Sequence, residues 1–139
     1  MAGDNVYTMD DKGRVMIPVK YRAKLGEVVH IAKGVGEPCL YLYSDEAWEE
    51  QCKLIISKGS SRSGRKLQRY FIGDSATSAM DKQGRITIPQ KQRDHASLIK
   101  YLAIADVGTH IEVWDADRWD EELEISPEEI DDIWQNFGL

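Results

Sequence analysis

The chain has 139 residues, 42% of them hydrophobic, with a formal charge of −6. That is enough apolar material for one globular domain, or for two small units sharing a core, and it argues against a disordered chain. No stretch approaches the roughly 18 apolar residues that a bilayer-crossing helix needs, and the opening "MAGDNVYTMDDKGR" holds no apolar signal core, so a cytoplasmic protein without membrane contact is expected.

In chain order, Val6–Met9 and Arg14–Ile17 read as two short strands around the polar turn "DDKG", where Gly13 supplies a positive φ without steric cost. Alternation in "RVMI" sends Val15 and Ile17 to one face and leaves Arg14 on the other. Pro18 keeps the preceding isoleucine extended and then suits the first turn of a helix, "PVKYRAKLG". Strands follow near Val28–Lys33 and Cys39–Tyr43. The "GVGEP" between them is a glycine turn that lacks the remaining spacing of a dinucleotide fingerprint. Ser44 then opens a helix with an acidic first turn and Trp48, Cys52 and Ile55 on one face, which makes Trp48 a core residue. Residues 53–69 carry Lys53, Lys58, Arg62, Arg65, Lys66 and Arg69 with no acid, either a solvated face or a phosphate-facing surface. Within that run "SKGSSRSGRK" reads as a linker, with Leu67, Tyr70 and Phe71 at helical spacing after it.

The first cassette then returns. Met9–Arg22 aligns with Met80–Arg93 at an offset of 71 without a gap, with eight identities in fourteen positions. The same offset sets Leu40 on Ile111, Leu42 on Val113, Tyr43 on Trp114 and Trp48 on Trp119. This is a duplicated unit, and two copies predict a pseudo-twofold pair, since an array of stacked repeats needs at least three. The second copy therefore repeats strand, proline and helix at "RITIPQKQRDHAS", with strands near Ile99–Ala105 and His110–Trp114 and a further Trp helix. Last, "SPEEIDDIWQNF" combines a capping box, Pro127 at the first helical position, and a stripe of Ile130, Ile133, Trp134 and Phe137. That stripe packs either on this chain or on another subunit. The expected organisation is a first unit at 5–60, a linker and helix at 61–76, a second unit at 77–124, and an acidic amphipathic helix at 125–139.

Net charge hides its distribution: residues 1–114 sum to +3 and residues 115–139 to −9. Cys39 and Cys52 are too few for a zinc tetrad and read as reduced structural thiols. His30, His95 and His110 stand apart from any nucleophile signature, and the acids at 128–132 lack the pattern of a calcium loop. No catalytic activity, metal, cofactor or small-molecule substrate is expected.

The cassettes offer instead a two-stranded turn bearing Lys12 with Arg14, and again Lys82 with Arg85, on rigid strands. A β-ribbon fits the major groove of double-stranded DNA, where an arginine fork pairs with guanine O6 and N7. Asp10 and Asp81, four residues before the arginines, either hold the guanidinium or simply fix the turn. Lys20, Arg22, Lys91 and Arg93, at the starts of the short helices, either reach flanking phosphates or serve as solvent and ion-pair residues.

"DDKGRVMIPVKYR" and "DKQGRITIPQKQR" resemble the paired D-x-x-x-R cassettes of the MraZ family, in two tandem SpoVT-AbrB-type units spanning essentially the whole chain. The resemblance implies an α+β fold with a mostly β core, a pseudo-twofold swapped-hairpin AbrB-like β-barrel with flanking helices. It further implies a DNA-binding transcription regulator, a repressor that assembles into a ring-like homo-oligomer and binds tandem repeats upstream of the division and cell-wall gene cluster. On that reading the protein is nucleoid-associated, and Asp10 with Arg14 and Asp81 with Arg85 carry over. The second cassette departs at Lys82-Gln83, where the first has Asp11-Lys12. The rival reading is an AbrB-like antitoxin or protein-interaction module.

Overall fold

The computed structural model describes residues 6–139; the expected opening of the first unit at Asn5 lies outside them. The first half runs β1 (Val6–Thr8), β2 (Arg14–Met16), α1 (Val19–Leu25), β3 (Val28–Lys33), β4 (Leu40–Tyr43), α2 (Asp45–Ser57), α3 (Arg62–Leu67) and a π-helical turn (Gln68–Gly73). The second runs β5 (Ala76–Ala79), β6 (Arg85–Thr87), α4 (Gln90–Ala96), β7 (Tyr101–Asp106), β8 (Ile111–Asp115), α5 (Ala116–Glu122) and α6 (Pro127–Asn136).

Six strands form one antiparallel sheet in the order β1-β7-β8-β4-β3-β5, and β2 pairs with β6 as a separate antiparallel ribbon. The order is symmetric about its middle. Each repeat's first strand crosses to the other repeat: β1 pairs with β7, and its counterpart β5 pairs with β3. Tyr41 faces Glu112 in the central β4·β8 ladder and Val15 faces Ile86 in the ribbon, and each of these pairs is 71 residues apart. The pseudo-twofold axis therefore passes through both pairs. Where the resemblance implies a barrel, the strands form an open sheet with β1 and β5 as its edges. Closure fails at the cassette turns, because β1 and β2 share only the bridge Met9·Val15 before they diverge.

The offset is not uniform. Ile31 pairs with Leu42, and Ile104 with Val113, so β3 and β7 correspond 73 residues apart. The connection from α4 to β7 is two residues longer than that from α1 to β3, and the following turn is two residues shorter. For this reason β7 starts at Tyr101 and not at Ile99: Ser97 ends α4 in the left-handed conformation (φ 53°) and the chain needs three more residues to reach the sheet.

Two layers cover the sheet. On one face Val29, Ile31, Leu40, Leu42, Leu102, Ile104, Ile111 and Val113 meet Val15, Ile17, Ile86 and Ile88 of the ribbon, the four inward aliphatics that alternation predicts. All four are buried, and burial of such side chains contributes roughly 1.5–3 kcal/mol each. On the other face Ala32, Tyr43, Ile55 and Phe71 pack together with Trp48, whose ring stacks 5.4 Å from Phe71. Trp119 takes the corresponding position beside Trp114 in the second repeat.

Helices α1 and α4 start where the prolines stand. Pro18 and Pro89 sit one residue ahead, and their carbonyls accept from the N–H groups of Tyr21 (2.9 Å) and Arg93 (3.0 Å). The expected linker is largely helical: only residues 58–61 separate α2 from α3, and Ser61 Oγ caps α3 by accepting from Gly64 N–H. The amphipathic helix α6 forms where the capping box places it, with Ser126 Oγ accepting from Glu129 N–H at 3.1 Å. Among the described residues its stripe finds no packing partner, against the intramolecular alternative: Ile130, Ile133, Trp134 and Phe137 are all exposed.

The tightest junction is between repeats. Ile17 N–H donates to the Gly84 carbonyl and Ile88 N–H to the Gly13 carbonyl, each at 2.8 Å. Gly13 and Gly84 both adopt φ +83°, and a Cβ on Gly13 would lie 2.5 Å from the Ile88 carbonyl oxygen. At Gly26 (φ +77°) the space is open. Gly26→Ala therefore meets backbone strain alone, about 1–3 kcal/mol, whereas Gly13→Ala meets the same strain plus a backbone collision. Urea unfolding of the two variants is expected to show the larger loss for Gly13→Ala.

Candidate nucleic-acid interface

Both cassette turns close in the same way. In the first, Asp10 Oδ1 accepts from the N–H groups of Lys12 (3.0 Å) and Arg14 (2.9 Å), while Oδ2 accepts from Arg14 Nε at 2.6 Å. In the second, Asp81 Oδ1 accepts from Gln83 N–H (2.9 Å) and Arg85 N–H (2.8 Å), and Oδ2 from Arg85 Nε at 2.8 Å. Each aspartate thus fixes the turn and holds the guanidinium together. The exchange of Asp11-Lys12 for Lys82-Gln83 leaves this geometry intact, because the bonds at that position come from backbone.

Only Nε of each arginine is engaged. Among the described residues Nη1 and Nη2 of Arg14 and Arg85 take no protein acceptor, and both side chains are more than a third exposed. In the ribbon register Arg14 stands opposite Thr87 and Arg85 opposite Met16, so the arginines sit on a diagonal, roughly 7–8 Å apart at the backbone. Met16 and Thr87 complete the outward face, and both are exposed. Sequence reasoning did not single them out, although the alternation that displays the arginines also displays them.

The strands stand on either side of each turn as expected, and the ones that leave the two turns, β2 and β6, pair with each other across the repeats. Since Gly13 binds Ile88 and Gly84 binds Ile17, each end of the ribbon joins a turn from one repeat to a helix start from the other. Lys12 lies at the turn that meets α4, and Lys82 at the turn that meets α1. Both are exposed, as is Lys20 on α1, whose Nζ lies over the Tyr21 ring at 5.1 Å. Lys91 on α4 is held instead by Asp74, at 2.6 Å, in a clamp that also takes Lys33 Nζ at 2.8 Å.

Arg22 and Arg93 do not face outward. Arg22 Nε donates to the Ile17 carbonyl at 2.9 Å and its guanidinium lies on Gly84; Arg93 lies on Gly13, with Nε buried and without an acceptor among the described residues. These arginines seat the opposite cassette. Their signal in the sequence was the joint identity of glycine and this arginine in both copies.

The Arg14 N–H, opposed in part by desolvation and reinforced by the Arg14 side chain, holds the Asp10 carboxyl below its usual 3.8; the Arg85 N–H does the same for Asp81. A carboxylate whose pKa is lowered on folding stabilises the fold above its unfolded value, and that stabilisation is lost as pH falls through the folded one. In Asp10→Asn/Asp81→Asn the fall of unfolding free energy as pH drops below about 4 is expected to be shallower than in the unaltered chain, read by urea titration at each pH.

The family described as MraZ protein, antitoxin-like, matches residues 1–69 and again residues 71–131. A relative from Lachnoclostridium phytofermentans is 36% identical over 137 residues, which cover 99% of this chain and 96% of the relative. One from Lactobacillus gasseri is 37% identical, covering 97% of this chain and 94% of its own length, and one from Caldanaerobacter subterraneus is 35% identical, covering 100% and 99%. Each of the three carries the name Transcriptional regulator MraZ. Two family matches on the two cassettes, with relatives aligned nearly end to end, establish that this chain belongs to the MraZ family of transcriptional regulators.

Proposed function

We propose that this regulator binds double-stranded DNA in a sequence-specific way through the outward face of the β2·β6 ribbon. The observation that carries the reading is the pair of identical Asp–Arg clamps, which present two guanidinium forks on one rigid surface. A two-stranded ribbon has the dimensions of the major groove, and a fork with free Nη groups suits guanine O6 and N7. Because each guanidinium is already neutralised by its aspartate, the pair adds little unspecific attraction; Lys12, Lys82, Lys20 and Lys91 supply phosphate contacts at the two ends. Lys91 must leave Asp74 to do so.

The finer parts of the reading follow the resemblance. The open sheet and its crossed strands are taken as the swapped-hairpin AbrB-like fold of two tandem units, with boundaries at 5–60, 61–76, 77–124 and 125–139. The regulator acts as a repressor at tandem repeats in its own promoter region, upstream of the division and cell-wall gene cluster. A ring-like homo-oligomer presents many ribbons to those repeats, so that weak single contacts multiply through effective concentration. The protein works in the cytoplasm at the nucleoid and has no catalytic step, metal or cofactor. The alternative, an antitoxin or interaction module, draws on the antitoxin-like description of the matching family; a toxin reading frame beside the gene and no selective DNA shift would favour it.

Gel-shift titration against the chain's own upstream DNA and a scrambled control tests the reading. Arg14→Ala/Arg85→Ala is expected to weaken specific binding by about 1–3 kcal/mol per base pair read, more than it weakens binding to the scrambled control, where only the bared Asp10 and Asp81 carboxylates act; equal affinity of the variant for the native site overturns the proposal. In Lys12→Ala/Lys20→Ala the slope of log K against log salt is expected to shrink by about 1 for each phosphate contact removed, with base preference kept.

A further inference from the structure

We propose that α6 of one copy docks, stripe first, into a basic groove beside the π-helical turn of a second copy, joining chains head to tail. This deepens the oligomer reading above and rests on it, by naming the two surfaces that meet.

The helix is well capped, yet its apolar stripe is left uncovered by the described residues of its own chain. Trp134 is 57% exposed and Phe137 78%, beside exposed Ile130 and Ile133. An apolar stripe of this kind, rimmed by acids, marks an interaction surface in a soluble protein. Glu129 and Asp131 flank the stripe on the helical wheel, and Asp131 borders the hollow formed with Pro127, Ile130 and Trp134.

The complementary surface lies on the first repeat. A groove of about 360 Å³ is lined by Ile56, Arg65, Gln68, Arg69, Ile72 and Gly73. It joins an apolar floor to two arginines, and Ile56, at 57% exposure, has no cover. Its sign matches its occupant, because residues 53–69 hold six bases and no acid while residues 115–139 hold ten acids and one base. An amphipathic helix in an apolar groove with charged rims is a recurrent recognition mode.

Geometry favours a second copy over the same chain. Helix α5 packs on β7 and β8, and only residues 123–126 separate it from α6, whereas the groove belongs to the helical layer over β3 and β4. In chain order α6 follows the Trp helix of the second repeat, whereas the groove is built from the end of α2, α3 and the π-turn that close the first, so helix and groove stem from different repeats. A contact between unlike surfaces passes from copy to copy and closes a ring when the rotation permits.

Native mass measurement of the full chain tests this, with gel shift run beside it. Trp134→Ala/Phe137→Ala, Arg65→Glu/Arg69→Glu and Glu129→Lys/Asp131→Lys are each expected to reduce the assembly to monomers, and the two charge reversals placed in one chain to restore it. All these positions lie away from the ribbon, so a monomeric variant keeps a selective but weaker DNA shift. Assembly that survives all three variants overturns the docking and leaves the oligomer reading standing. An unaltered chain that is monomeric at every concentration overturns both.

Discussion

Two hydrogen bonds, Ile17 N–H to the Gly84 carbonyl and Ile88 N–H to the Gly13 carbonyl, tie each cassette to the other repeat at the points where a side chain would not fit. Their geometry requires the positive φ of both glycines, and it brings β2 beside β6 in the register that sets Val15 against Ile86. From that register follow the inward layer of aliphatics and the outward diagonal of arginines. Arg22 and Arg93 close the junction from the helices, so the residues that lead out of each cassette also brace its partner. The symmetry of the larger sheet is the same constraint seen one layer away, since the axis through Val15 and Ile86 also passes through Tyr41 and Glu112.

The candidate site inherits its rigidity from this junction. A guanidinium on a free loop would surrender rotamer entropy on binding, roughly 2 kcal/mol for a whole arginine side chain. Arg14 and Arg85 are ordered beforehand: backbone and carboxylate both hold them, and the aspartate is itself held by the turn it closes. The arrangement exchanges long-range attraction for orientation, which suits a surface meant to distinguish one base pair from another. It also agrees with a chain whose overall charge is −6.

Local punctuation and period carried much of the fold into view. The cassette turns, the inward aliphatics, the displayed arginines, the proline-started helices and the capped last helix are decided by residues within four or five positions of one another, and such signals can be read one segment at a time. Pairing partners cannot. Nothing in "VYT" says that it joins Tyr101–Ala103 on the far side of the chain, and "ATSA", small and weakly β-forming, gives no strand signal until β3 lies beside it. Long side chains were ambiguous for a related reason. Lys91 and Arg22 occupy equally polar helix starts, and only tertiary neighbours, Asp74 in one case and Gly84 in the other, decide that one is ion-paired and the other seated on backbone.

The exchange of β1 and β5 has a consequence for synthesis on the ribosome. The first repeat finishes emerging with β3 lacking its partner β5, and β1 has nothing to lie against until β7 has been made, almost a hundred residues later. Unpaired strand edges template association with other chains, and sheets that depend on distant segments form slowly. The half-made protein is therefore the form most open to exchange strands with a neighbour on the same message, and keeping both repeats in one polypeptide supplies the correct partner at high local concentration as soon as it appears.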